Sequence, residues 1–512
     1  MEANPVDGRH WNRLATALFA AGDLREALAA YRKVREIGLH DDDTMAGRPG
    51  GTAYLIARCH AALGEHDQAI ATLEAAMAEG FVEVDEAVAD PRLAALRGDS
   101  RFDAVLGLED VTGLDRTGGW RTDLRVLVRE VKRRRPVPWP EGRAARLDHE
   151  ADLLGQAVPD LTDAQVAAGM MRLLPLLDDG HAYLEAPSGD AALSRALPLQ
   201  FYLFAEGVFV VSAEPAYAAL LGARVLAFDG TPIEDVLHAV DAVICQDAAN
   251  DYRSAELAAD WLRKTPILHA LGAVDDPAAV RLRTDAGEFA VDASAGNVRR
   301  VKHFPVSATM RQFHDPRTAP LYLRHADTPY WFEVLAEHRT MYCQINAIAD
   351  DPEEPLAAFA RRLVATIERH RLVRLVVDLR WNRGGNTFLA APLLKCVLGC
   401  AAFDRPGGLV LVIGRRTFSA AGNFAQHLQW FAGPALTIIG EPSGSSARFI
   451  GETVPFDLPY SRLKCNISNL FWQGMTPLDR RGWIPPDIHL PPTFAAYSQN
   501  RDPVMDAALA CR

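Results

Sequence analysis

Three short runs of Val, Ile and Leu constrain this chain more than any other feature: LVRLVVDL at 372–379, GLVLVIG at 408–414 and ALTIIG at 435–440. None alternates apolar with polar residues, so each reads as a strand buried on both faces. Helical periodicity fills the intervals, at 355–370, after Asn386 and after Ser419, and YWFEVL (330–335) and MYCQINAI (341–348) come before. Strands and helices in alternation predict an α/β domain with a largely parallel sheet.

That domain accounts for fewer than half of the 512 residues, and at about 150 residues per domain the chain has room for about three. From 198 to 295 the pattern is β, and within it GARVLAFDGTPIEDVLHAV predicts a strand, an Asp-Gly turn and a helix starting near Pro232. Between 120 and 184 the periodicity is helical, with a basic stretch, REVKRRR (129–135), which reads as a solvated helix end before PVPWP. The first 110 residues are helical and repeat at an offset of 42, which superposes Gly22 on Gly64, Ala27 on Ala69, Tyr31 on Leu73 and Leu14 on Ile56.

Composition excludes several functions. The formal charge of −12 repels a phosphate backbone, so nucleic acid is not an expected partner. Seven scattered cysteines with no C-x-x-C pair argue against a disulfide framework or a zinc site, and no metal or cofactor is expected. The opening residues MEANPVDGRH lack a basic and an apolar signal region, and no run reaches the ~18 apolar residues of a membrane span. A cytoplasmic, membrane-free protein is therefore the expectation.

In parallel sheets ligands bind at the carboxyl ends of strands, and two turns stand out there. In VVDLRWNRGGN (376–386), Gly384 and Gly385 let the backbone approach a ligand and aim N–H groups at it, or else simply make a tight turn. In GRRTFSAAGNF (414–424), Ser419 opens a helix, either as its N-cap or as a nucleophile at the positive end of the dipole, with Ala420 supplying a second N–H. A nucleophilic serine needs a base. His181, in the Asp-Gly turn of LLPLLDDGHAYLEA, is the candidate; His427 lies eight residues along the same helix as Ser419, about 12 Å away, too far for proton transfer.

Taken together and in order, LLDDGHAYL, DLRWNRGGN, RRTFSAAGNF, IIGEPSG, IPPDIHL and NRDPVMDAAL resemble the tail-specific or C-terminal-processing serine peptidases, with their retinoid-binding-protein-like and tricorn-core relatives, over residues 115–512. The resemblance implies a ClpP/crotonase-like α/β catalytic domain with Ser419 as nucleophile and N–H groups of Gly384 or Gly385 and of Ala420 as oxyanion hole. Ser445 and Ser446 stand where the lysine base of the bacterial branch would be, and Lys464 is displaced from that position. The tricorn-like branch instead implies His181 as base and Asp479, in PLDRRGWIPPD, as the acid, with Glu441 as the alternative. The N-terminal repeat resembles the tetratricopeptide pattern, with HDDDTMAGRPGG as an insertion, and the 222–240 unit looks PDZ-like.

The expected protein is thus a multidomain α/β chain: a tetratricopeptide-like region at 1–112, a helical region at 113–190, a β-rich PDZ-like region at 191–300 and the α/β serine peptidase domain at 301–512. Its expected partners are a peptide or protein substrate and a protein held by the helical repeats. An inert peptide-binding scaffold and a small-molecule acyl hydrolase are the rival readings.

Overall fold

The computed structural model describes all residues except 1–5, 40–43, 188–189, 191, 249, 296–309, 316–317, 326 and 512. The start of the HDDDTMAGRPGG insertion, at 40–43, lies outside the described residues. The chain forms two compact units, one of Met1–Arg135 with Thr453–Asn469, the other of Pro136–Glu452 with Leu470–Arg512.

The first unit begins with four helices, α1 (Gly8–Ala21), α2 (Leu24–Ile37), α3 (Gly51–Ala62) and α4 (His66–Ala78). Residues matched by the 42-residue repeat play matching parts. Gly22 (φ +89°) and Gly64 (φ +77°) adopt the left-handed conformation that ends α1 and α3. Ala27 and Ala69 are fully buried, and Tyr31 and Leu73 follow them into the core. The match fails at Leu14, which is exposed while Ile56 is buried.

Helix α5 (Arg116–Arg134), capped by Asp115, carries the basic stretch. This stretch is not a solvated helix end. Arg134 is 3% exposed; it pairs with Glu130 at 3.1 Å and donates to the Val454 carbonyl at 2.6 Å. Arg133 donates to the Phe81 carbonyl, and Arg129 to the Gly107 carbonyl at 2.7 Å. Asp123, also on α5, accepts the backbone N–H groups of Tyr460 and Ser461 at 2.8 and 2.7 Å. Helix α5, expected to open a region at 113, therefore serves the first unit, and it holds the late segment 453–469.

In the second unit, β1 (Leu199–Phe204) and β2 (Gly207–Ala213) form an antiparallel hairpin. Strand β3 (Val225–Phe228) pairs with β4 (Ala279–Thr284), and β4 with β5 (Gly287–Asp292). After β3, Asp229 and Gly230 turn the chain with positive φ, and α6 (Ile233–Asp241) starts just after Pro232; α7 (Asp251–Trp261) follows.

A six-stranded sheet carries the rest, in the order β6 (Tyr330–Leu335), β7 (Thr340–Ile345), β8 (Arg374–Asp378), β9 (Leu409–Ile413), β10 (Leu436–Gly440), β11 (Ile488–His489). Only the β6–β7 pair is antiparallel. Leu375, Val377, Leu409, Leu411 and Ile438 face a core shared with helices α8 (Leu356–His370), α9 (Ala391–Leu398) and α10 (Ala420–Ala432). Val376, Val410, Val412 and Ile439 face a second core closed by α11 (Pro503–Ala510). Cover on both faces is why the strands read as unbroken apolar runs.

Candidate functional site

The carboxyl ends of β8 and β9 lead into the two turns singled out in the sequence. After β9, the Thr417 hydroxyl donates to the Leu379 carbonyl at 2.9 Å, tying the second turn to the first. Ser419 follows with φ +57° and ψ −126°, a backbone conformation that strains any residue but glycine. Its side chain accepts no helix N–H, so capping is not its role. Its own N–H donates to the Ser445 hydroxyl at 2.6 Å. The small residues after it serve packing: Ala420 and Ala421 are buried in the sheet core, and a Cβ on Gly422 would lie 2.9 Å from that of Ser445.

The Gly-Gly turn lies directly against this serine. A Cβ on Gly384 (φ +111°) would sit 2.7 Å from the Ser419 Cβ and 3.1 Å from the Ala420 nitrogen, so only glycine permits the approach. Gly385 (φ +136°) is similarly pressed on Ile348. Of the two glycines expected as alternatives for an oxyanion N–H, one is already engaged. The Gly384 N–H donates to the Asn382 side-chain oxygen at 2.8 Å and is engaged there. Ile348 pairs with the Gly384 carbonyl (2.9 Å) and the Asn386 N–H (2.8 Å), which leaves the Gly385 N–H outside that pairing. Gly385 and Ala420, the latter at the start of a helix where N–H groups lack intrahelical acceptors, remain the oxyanion candidates.

His181 sits in the Asp-Gly turn, its own N–H bonded to the Asp179 carboxylate at 2.9 Å. Its ring packs 4.3 Å from that of Phe418, the residue before Ser419, and 5.5 Å from that of Phe449. The structure therefore brings His181 to the turn that carries Ser419. The acids expected from the sequence are engaged elsewhere. Both oxygens of Asp479 bond Arg481, at 2.9 Å and 2.7 Å, and Arg481 holds that carboxyl below its usual range. Glu441 faces Arg415 at 3.5 Å, with burial pushing its carboxyl up. The carboxylate beside the His181 ring is Asp179, 3.9 Å from Nδ1. His427 stays on α10, and Lys464 is an exposed residue of the first unit.

Two buried carboxylates that the sequence did not single out knit these loops together. Glu256 on α7 accepts from Arg383, next to Gly384, and pairs at 3.1 Å with Arg416, three residues before Ser419, and at 3.0 Å with Arg253. Burial alone would raise its pKa, but the guanidiniums of Arg383, Arg416 and Arg253 bring it down to about 2. Arg253 also lies 3.8 Å above the Phe418 ring. Asp247 accepts the backbone N–H groups of Gly180 at 3.1 Å and Ser446 at 2.9 Å. No local pattern marks either acid, because their partners lie up to 199 positions away in sequence.

A cavity of about 270 Å³ adjoins both turns, lined in part by Tyr202, Trp381, Arg415, Glu441 and Tyr497. Among the described residues no three His, Cys, Asp or Glu side chains gather as a metal site, and no helix is long and apolar enough to cross a membrane. All seven cysteines are free thiols.

No family model and no curated protein matches the sequence. Among solved structures the chain is similar to mature CPAF complexed with lactacystin, at 12% identity and a TM-score of 0.52 over 77% of this chain and 97% of that one. Weaker likenesses are to the photosystem II D1 C-terminal processing protease (14% identity, TM-score 0.33, 74% and 94% covered) and to a putative S41 protease from Bacteroides fragilis (12%, 0.31, 65% and 86%). The fold is shared with mature CPAF.

Proposed function

We propose that this chain is a serine peptidase of the tail-specific kind, acting on peptide or protein substrates through an acyl-enzyme on Ser419. The observation that carries the reading is the strained Ser419 at a helix start, with the Gly384 backbone pressed on it and the His181 ring packed on Phe418, the residue before it. In this reading the His181 imidazole takes the Ser419 proton as Oγ attacks the scissile carbonyl, and later returns it to the leaving amine. The N–H groups of Gly385 and Ala420 receive the developing oxyanion, each such donor contributing on the order of 10²–10³ in rate. Asp179 is the carboxylate that faces the imidazolium. The helix pairs of the first unit then act as a tetratricopeptide-like holder of a protein partner, and the β3–α6–β4–β5 region as a PDZ-like module.

A fluorophosphonate probe tests the assignment, because Ser419 Oγ bonds phosphorus, fluoride leaves and the proton passes to His181. Expected results are stoichiometric labelling of the wild type, none for Ser419→Ala or His181→Ala, and unchanged labelling for Lys464→Ala. Labelling that persists in folded Ser419→Ala refutes the nucleophile; loss confined to Lys464→Ala refutes the base.

A further inference from the structure

Within the site read above, one buried acid touches neither reacting group, yet it connects the segments that carry both. Asp247 is 1% exposed. One carboxylate oxygen accepts the N–H of Gly180, the residue before His181, and the other accepts the N–H of Ser446. The residue before Ser446 is Ser445, whose hydroxyl receives the Ser419 N–H at 2.6 Å. A single carboxylate thus stands between the turn of the base and the seat of the nucleophile.

The surroundings are built for that contact. A Cβ on Gly180 would lie 2.7 Å from the Asp247 oxygen and 3.1 Å from the Phe418 ring, so glycine is what lets the turn close on the acid. The backbone around it is fixed independently. Asn250 N–H donates to the Asp247 carbonyl at 3.1 Å, its side chain reaches the Ser443 carbonyl at 3.2 Å, and the Ser446 hydroxyl reaches the Gly482 carbonyl at 2.8 Å.

We propose that Asp247 is a positioning residue for the Ser419–His181 pair: ionised, it holds both turns in register, and on taking a proton from solvent it releases one of them. The reason lies in hydrogen-bond chemistry. A carboxylate has two acceptor oxygens, one for each N–H, whereas a neutral acid presents an O–H donor to one of them and must drop that bond. The inference rests on the peptidase reading of the same site.

The charge environment places this switch near neutral pH. Burial pushes the Asp247 pKa up, the two backbone N–H groups and the Arg253 guanidinium pull it down, and Asp179 adds to the rise, leaving it at about 7. The charged groups acting on it are Asp179, which lies beside the His181 ring on the base's turn, and Arg253, itself paired with Glu256, on α7; from the nucleophile side it meets the backbone of Ser446, which carries no charge.

The experiment follows the fluorophosphonate labelling rate of the full chain from pH 5 to 9, for wild type and Asp247→Asn, with thermal unfolding recorded at each pH. Wild type is expected to lose rate toward acid with a slope in log rate that exceeds one proton and approaches two, one for the imidazole and one for Asp247. Asp247→Asn mimics the protonated acid at every pH. Its maximal labelling rate should drop at least tenfold at pH 8.5, short of the ~10²-fold that an ångström of misplacement costs, with the probe concentration for half-saturation unchanged and a slope of one. Its unfolding temperature at pH 8.5 should equal or exceed that of wild type, which a merely structural acid would not allow. A one-proton slope in wild type overturns the proposal whether or not the variant folds, and so does an Asp247→Asn profile that superposes on wild type. Absence of labelling in folded wild type at any pH fails the peptidase reading itself, and this proposal with it.

Discussion

Gly384→Ala is the substitution whose effect the structure defines most closely. The added Cβ would lie 2.7 Å from the Ser419 Cβ and 2.9 Å from the Phe418 carbonyl, against the 3.4 Å at which ordinary contact begins. One partner must therefore retreat by 0.7 Å, and the one free to do so is the strained serine, because Gly384 is pinned through Ile348 and Asn382. The φ of +111° adds backbone strain of about 1–3 kcal/mol. Stability should fall by about 2–4 kcal/mol, and the fluorophosphonate labelling rate by between about 10- and 100-fold, in line with sub-ångström displacement of a reacting atom. Gly230→Ala is the control: its φ is +88°, but nothing lies within 4 Å of the new Cβ. It should lose about 1 kcal/mol with the rate unchanged. The two measurements are denaturant unfolding and time-resolved labelling at pH 8. If Gly384→Ala labels within twofold of wild type, the argument that this glycine exists to admit Ser419 is wrong.

Further outcomes follow from the same geometry. Ser419→Gly relieves the positive φ and should raise stability by about 1 kcal/mol in denaturant unfolding while abolishing labelling. For Asp247 the folded pKa of about 7 stands above its ordinary 3.8, so the protonated form stabilises the fold. That contribution is full below pH 3.8 and is lost as pH rises through 7, about 4 kcal/mol at ~1.4 kcal/mol per unit, and the difference between wild type and Asp247→Asn in denaturant midpoint should trace it. A fragment of 113–512 deprives Arg129, Arg133 and Arg134 of carbonyl partners at Gly107, Phe81 and Val82, and should aggregate or melt earlier than the full chain in scanning calorimetry.

The parallel sheet was legible because double burial is written into each strand: 375–377, 409–413 and 438–439 carry no polar residue. Ser419 was legible as a helix start, but sequence alone left capping open as its role; its φ and its empty capping bond argue against the cap. Three matters were not readable. Asn382 captures the Gly384 N–H through a two-residue side-chain turn that many loops share. The acid near His181 is its own neighbour Asp179, whereas the reading along the chain looked to Asp479, which Arg481 occupies. The basic stretch of α5 looked solvated because its acceptors are backbone carbonyls as far off as Val454, and a carbonyl has no sequence signature.

The return of 453–469 to the first unit has a consequence for how the protein is made. Its α5 acid Asp123 waits for Tyr460 and Ser461, and Arg134 for Val454. Between Arg135 and Thr453 lie residues 136–452, so 452 − 135 = 317 residues of the second unit are synthesised in between. At about 5–20 residues per second the ribosome needs roughly 16–60 s to supply them. For that interval a nascent first unit lacks the partners that Asp123 and one Arg134 nitrogen take from 453–469, while the second unit already has Ser419 but lacks β11 and α11. Both units therefore stay incomplete until the residues from Thr453 onward are made, the first for want of 453–469 and the second for want of β11 and α11, so the two close late and within a few seconds of each other.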